Sequence, residues 1–122
     1  MGKYVIKQAK TGPMFNLKAA NGEVIGTSEI YSSEDACRNG IESVMKNAPI
    51  ANFEDQTKEG YETMPNPKFE LYQDKKGEYR FRLKAGNGQI ILVGEGYVSK
   101  SGCKNGINSI RKNAVESAIV AE

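Results

Sequence analysis

Phe81-Arg82-Leu83-Lys84-Ala85-Gly86-Asn87-Gly88-Gln89-Ile90-Ile91 reads as an alternating strand, an Asn-Gly pair and a second apolar strand. Asn-Gly between two such runs is the strongest short-range hairpin signal, because a type I′ turn needs positive φ at both central residues. An earlier copy lies 66 positions upstream, Phe15-Asn16-Leu17-Lys18-Ala19-Ala20-Asn21-Gly22-Glu23-Val24-Ile25. The match at this spacing continues past the hairpin, so the chain is a tandem duplication. A two-residue turn sets Ala85 opposite Ile90, Leu83 opposite Leu92 and Phe81 opposite Gly94. Phe81, Leu83 and Ala85 then share the core face, and Arg80, Arg82 and Lys84 the other.

Upstream of the hairpin, Lys3–Gln8 and Phe69–Gln73 read as first strands, with Tyr4 and Ile6 on one face. Asp74-Lys75-Lys76-Gly77 suits a type I turn whose glycine takes the left-handed position of a bulge. Pro13 has no N–H to give a ladder, which predicts a bulge or a frayed strand start in the first copy.

Downstream, a third strand runs to Tyr31 or Tyr97, and Ser33 and Ser99 are natural N-caps of the helix that follows. Cys37, Ile41, Val44 and Ala48 recur at helical spacing, as do Cys103, Ile107, Ile110 and Ala114. Gly40 and Gly106 sit mid-helix, where glycine costs about 1 kcal/mol relative to alanine. Accepting that cost at one spot in both copies predicts a close approach there. Pro49 ends the first helix, whereas the proline-free Ala114–Ala118 stretch could run on for a turn. The tails that contain Phe53 and Ile119 read as short final strands. Residues 1–57 form the first repeat, 58–67 a linker and 68–122 the second repeat.

The chain's 122 residues amount to one domain, and halves of about sixty residues are each marginal alone, which predicts a shared core. Net charge is +2: residues 1–61 carry seven basic and eight acidic side chains, 62–122 ten and seven. That imbalance is too small to imply nucleic acid by itself. No apolar run reaches membrane-spanning length and the N-terminus has no signal-peptide pattern, so a cytoplasmic protein without a membrane partner is expected. Cys37 and Cys103 hold the same position in each copy and read as small buried hydrophobes.

Leu-Lys-Ala-x-Asn-Gly, then Glu-x-Tyr, then Ser-x(3)-Cys-x-Asn-Gly-Ile-x-Ser-(Val/Ile)-x-Lys-Asn-Ala occurs twice, from Leu17 to Ala48 and from Leu83 to Ala114. This pattern resembles the YegP-like family of small bacterial domains of unknown function. The resemblance implies an α+β fold, a tandem of β-β-β-α-β units that form one antiparallel sheet packed by two helices. It also implies that the last strand of each unit is exchanged into the other's part of the sheet. One-copy members would build the same object as a dimer, so a two-copy chain is expected to be a monomeric pseudo-dimer. The family offers no activity, substrate or cofactor to transfer.

The residues themselves favour binding over catalysis. The sequence has no histidine, no nucleophile–base constellation and no metal-ligand or phosphate-loop pattern, so no catalytic, metal or cofactor residue is assigned. The Glu29/Tyr31 and Glu95/Tyr97 pairs read as structural, with Glu95 across from Arg80 as an ion pair and Tyr97 anchoring the strand-to-helix corner. Tyr72, Arg80, Arg82 and Lys84 form a basic face with an aromatic, the ingredients of a single-stranded nucleic-acid or anion platform. The first copy has Met14, Asn16 and Lys18 there, and a solvated charged face is the commoner meaning of such a run. Ile25, Ile91 and Val93, read as lying opposite the main core, are a candidate strip for a protein partner.

Overall fold

The computed structural model describes residues 2–115 and 117–122. Each copy opens with a hairpin, β1 (Lys3–Ala9) and β2 (Gly12–Lys18) or β5 (Lys68–Gln73) and β6 (Tyr79–Lys84), and adds a third strand, β3 (Val24–Thr27) or β7 (Ile90–Val93). A helix follows, α1 (Glu34–Asn47) or α2 (Lys100–Ala114), and then a last strand, β4 (Asn52–Asp55) or β8 (Ala118–Ala121). The eight strands form one sheet in the order β4-β5-β6-β7-β3-β2-β1-β8. β4 leaves the first copy to lie beside β5, and β8 leaves the second to lie beside β1. The chain is therefore a duplicated α+β unit with exchanged final strands. Both exchanged strands run parallel to their neighbours, so the sheet is mixed rather than wholly antiparallel. Parallel neighbours need a crossover, which residues 56–67 supply between β4 and β5; β1 and β8 come from opposite ends of the chain.

The Asn-Gly hairpins do not use the two-residue turn. Gly88 N–H donates to Ala85 O and Ala85 N–H to Gln89 O, both at 2.9 Å, and Gly88 alone takes positive φ, at 85°. The first copy repeats this at Ala19, Glu23 and Gly22. It is a three-residue loop closed by a glycine bulge, and the Asn87 Oδ1 supports it by accepting from Gln89 N–H at 3.0 Å. Leu83 faces Leu92 as expected, but Lys84 faces Ile90, and Ile91 is the extra residue. Ile25 is its counterpart between Leu17 and Lys18. The bulge turns both isoleucines into the helix-side core, not onto the opposite face.

Pro13 pairs with Gln8 inside an unbroken β1–β2 register, without a bulge. The regular third strands stop at Thr27 and Val93, short of the tyrosines, which are held instead by Tyr31 N–H to Pro13 O (2.7 Å) and by a Tyr79–Tyr97 bridge. Ser33 and Ser99 cap the helices, accepting from Ala36 N–H (3.1 Å) and Gly102 N–H (3.0 Å). α2 does not run on past Ala114: Val115 is its C-cap, and Glu116 lies outside the described residues.

Both helices lie on one face of the sheet and straddle its middle. α1 rests on β2 and β7, and α2 on β2, β3, β5 and β6. The seam they cover, between β3 and β7, has Thr27 and Val93 as its paired residues. Phe15, Leu17, Ile41, Phe81, Leu83 and Ile107 join one buried cluster that spans both copies, with the free thiols of Cys37 and Cys103 inside it. Burying an isoleucine such as Ile41 contributes about 1.5–3 kcal/mol.

The mid-helix glycines answer to the corner tyrosines. Tyr31 stacks on Phe15 (centroids 6.3 Å apart) and Tyr97 on Phe81 (6.4 Å), and each hydroxyl fills the space that a Cβ at Gly40 or Gly106 would need. Gly40→Ala should therefore destabilise the protein by about 1–3 kcal/mol, in spite of its helix propensity, and Tyr31→Phe in the same chain should recover part of the loss. Urea unfolding of the three proteins checks this, and equal or greater stability for Gly40→Ala would contradict it. Cutting the chain between Met64 and Asn66 should give pieces that are unfolded apart or that reassociate. Two monomeric fragments, each melting cooperatively, would show that the copies do not need one another.

Candidate functional site

Tyr72, Arg80, Arg82 and Lys84 share the face away from the helices, as strand alternation requires. Their charges are already engaged. Arg82 Nε donates to Glu70 Oε1 at 2.5 Å while its guanidinium sits 4.6 Å from the Tyr72 ring centroid, and Lys84 Nζ lies 3.3 Å from Glu70 Oε2. Arg80 pairs with Asp74 (2.7 Å) and Glu78 (3.5 Å), not with Glu95. The Tyr79–Tyr97 bridge is offset by one residue from the Leu83–Leu92 pairing, which spoils the expected alignment. Of the apolar strip, Ile25 and Ile91 are buried in the core, and Val93, 38% exposed, remains alone.

Below the arginines lies a buried clamp. Lys68 Nζ bridges Glu54 Oε1 (2.8 Å) and Glu70 Oε2 (3.2 Å), all three nearly inaccessible. The linker closes over it: Gln56 Nε2 donates to Glu54 Oε2 (2.6 Å) and Met64 N–H to Oε1 (2.7 Å). Burial alone would raise the Glu54 pKa, but the bonds from Lys68, Gln56 and Met64 outweigh it and bring it from the usual 4.5 to about 2. Glu70 is lowered in the same way, against its burial, by Arg82, Lys68 and Lys84. This face ties the linker down. Its cations are paired, though Arg80, Arg82 and Lys84 stay partly exposed.

The concave surfaces lie elsewhere, where each helix meets the other copy's hairpin loop. Beside α1, a cleft of about 560 Å³ is lined by Glu42, Lys46, Asn47, Gly86 and Asn87. It shares Asn39, Ser43, Ala85 and Asn87 with a second hollow that reaches Glu29 and Tyr31, so the two form one groove. The twin lies beside α2, a cleft of about 640 Å³ lined by Ser109, Lys112, Asn113, Ala20 and Asn21.

Local bonds set the groove walls. Asn47 Nδ2 donates back to Ser43 O (2.8 Å), and Asn113 Nδ2 to Ser109 O (2.9 Å), which fixes both side chains along their helices. The loop wall is held by the Asn–Gly bulge. On the floor of the first groove, burial pushes the Tyr31 phenol up to about 12, with Glu29 and Cys37 adding to the shift. Sequence reasoning had these residues only as motif letters, or, for Glu29 and Tyr31, as a structural pair. The available signal was the recurrence of Glu29, Asn39, Lys46 and Asn87 in both copies.

Two interlocked β-β-β-α-β units, with a groove at each junction between helix and opposite hairpin, define a duplicated α+β domain of one architectural class. A family model described as "Domain of unknown function (DUF1508)" matches residues 9–55 and again 74–120, and the chain belongs to this family. The UPF0339 protein YegP of Yersinia pestis is 42% identical over 120 residues, 98% of this chain and 94% of that protein. A UPF0339 protein of Treponema denticola is 62% identical over 53 residues, which cover 43% of this chain and 91% of that protein, a single unit. The solution NMR structure of yegP from E. coli, titled a protein of unknown function, superposes with a TM-score of 0.81 at 29% identity, covering 99% of this chain and 92% of that one. None of these descriptions assigns a reaction.

The clamp makes a pH prediction. Carboxylates depressed on folding contribute stability that is complete above their unfolded pKa and lost as pH falls through the folded value. The protein should therefore weaken between about pH 4.5 and 2. Lys68, raised on folding, keeps its contribution until pH climbs beyond its ordinary 10.5. Lys68→Met leaves two buried carboxylates without their shared cation. It should cost about 3–5 kcal/mol at pH 7 and flatten much of the acid dependence. Urea titrations at pH 7, 4.5 and 3 check both, and an unchanged acid profile would show that the clamp is not the source.

Proposed function

We propose that the chain is a non-catalytic recognition module with two grooves, each receiving a small polar ligand between one copy's helix and the other copy's hairpin loop. The observation that carries this reading is where the two copies have stayed alike. Fewer than half of the positions from 15 to 55 match their twins, and most that do have a structural reason: core, cap, bulge glycine or tyrosine contact. Glu29/Glu95, Asn39/Asn105 and Lys46/Lys112 are exposed and belong to no ion pair among the described residues, yet they are identical. Glu29, Asn39 and Lys46 line the first groove, and Lys112 lines the second. Exposed polar groups held without a folding role point to binding.

A Tyr31 phenol held near 12 and a buried Cys37 thiol whose pKa is raised are poor acid–base or nucleophilic groups at neutral pH, which supports binding over catalysis. Each groove takes one wall from each copy, so the two-copy chain acts as a monomer that stands in for a pair. Two buried free thiols agree with a reducing, cytoplasmic setting.

Amide NMR titration with a mixture of free amino acids, short peptides and small saccharides tests the reading. It should move signals of residues 39–47 with 85–91, and of 105–113 with 19–25. Ser43→Tyr with Ser109→Tyr, which fills both grooves, should abolish these shifts. Shifts confined to the face around Arg82 and Val93, produced by a single-stranded oligonucleotide, would overturn it.

A further inference from the structure

The first groove of the recognition reading, on which this inference rests, carries opposite charges at its two ends. Glu29 lines the end beside Tyr31 and Ala36, and Lys46 lines the end beside Asn47 and Gly86. Asn39, Ser43 and Asn87, all neutral hydrogen-bonding side chains, lie between them. Glu42 also stands at the Lys46 end, but its twin is Asn108, whereas the sequence of the second copy keeps both charges as Glu95 and Lys112, and Lys112 lines the second cleft. The helix rises about 1.5 Å per residue, so Lys46 lies roughly 10 Å along the axis from Asn39 and roughly 15 Å from Ala36.

A ligand that satisfies this arrangement carries a cation at one end, an anion at the other and both donors and acceptors between. An extended peptide spans about 3.3–3.6 Å per residue, so three or four residues cover the separation. Asparagine amides and serine hydroxyls both donate and accept, which matches the alternating N–H and C=O groups of a main chain. We infer that each groove takes a tri- or tetrapeptide with free termini, its ammonium at Glu29 or Glu95 and its carboxylate at Lys46 or Lys112. Recognition is of the termini and main chain, with little demand on side-chain identity. Charge-assisted bonds at the two ends supply most of the discrimination.

Tetra-alanine is the probe, compared with its N-acetylated and C-amidated forms in amide NMR titrations of the full chain. Free tetra-alanine should move the groove signals, and either block should weaken binding roughly tenfold, the equivalent of one lost charged hydrogen bond. In Glu29→Gln with Glu95→Gln, free and N-acetylated peptide should bind equally while the C-amide still binds more weakly. Lys46→Gln with Lys112→Gln should show the converse. These four positions are exposed, so folding is not at issue. Blocked peptides that bind at the grooves as tightly as free ones overturn the inference and leave the recognition reading standing. So does silence towards all three tetra-alanines while the mixed probes still move the grooves. Silence towards every probe overturns both.

Discussion

The structure depends on the exchange of β4 and β8. Each copy ends in a strand that its own sheet cannot use, and each sheet is finished by a strand from elsewhere in the chain. The helices lock this arrangement, because α1 reaches β7 and α2 reaches β2 and β3 across a seam with little ladder of its own. Units of about sixty residues bury too small a fraction of their surface to stand safely alone. Sharing one core relieves that, and the same arrangement sets α1 beside the Asn87 loop and α2 beside the Asn21 loop, where the grooves lie.

Much of this was legible in the sequence because it is local or periodic. The duplication, the serine caps, the Asp74–Gly77 turn and the helical spacing of Ile41 and Val44 each depend on residues close in the chain. The family resemblance added the exchange. The loop type was less legible: Asn-Gly suits both a two-residue turn and a three-residue loop with a bulge, and the choice rests on whether the asparagine takes positive φ. That choice moves one residue, which was enough to send Ile25 and Ile91 from the open face to the core. The ion pairs of the basic face were hidden for a different reason. Arg82 and Lys84 alternate visibly along β6, but their neutralising partner Glu70 is on β5 and depends on cross-strand register.

The grooves were out of reach for a third reason. Many residues in their walls belong to the repeated pattern, yet the helix letters and the loop letters that meet come from different copies. Nothing in a one-dimensional pattern says that Asn47 faces Gly86 and not its own Ala20. The repeats could flag which exposed residues stay the same, but not that these residues converge.

The way the copies have drifted apart sharpens that last point. Near the pseudo-twofold axis, a Cβ at Gly26 would lie 2.6 Å from Leu92, its own twin, so a small and a large residue interlock where a symmetric pair would need two of the same. At the helix ends, Tyr4 Oη donates to Ala114 O (2.8 Å), whereas the twin carbonyl of Ala48 is met by Arg111 Nη1 (2.9 Å), stacked over the phenylalanine that replaces that tyrosine. Opposite the helices, the Glu54–Lys68–Glu70 clamp exists at one exchanged strand only, with Val5 and Val120 at the matching strand positions at the other. Packing and polar satisfaction in this fold thus accept different solutions on the two sides. Glu29, Asn39 and Lys46 sit on the surface, where such latitude is greatest, and they have not diverged from their twins. No ion pair among the described residues holds them alike, and a shared ligand is the constraint that the proposed recognition role would supply.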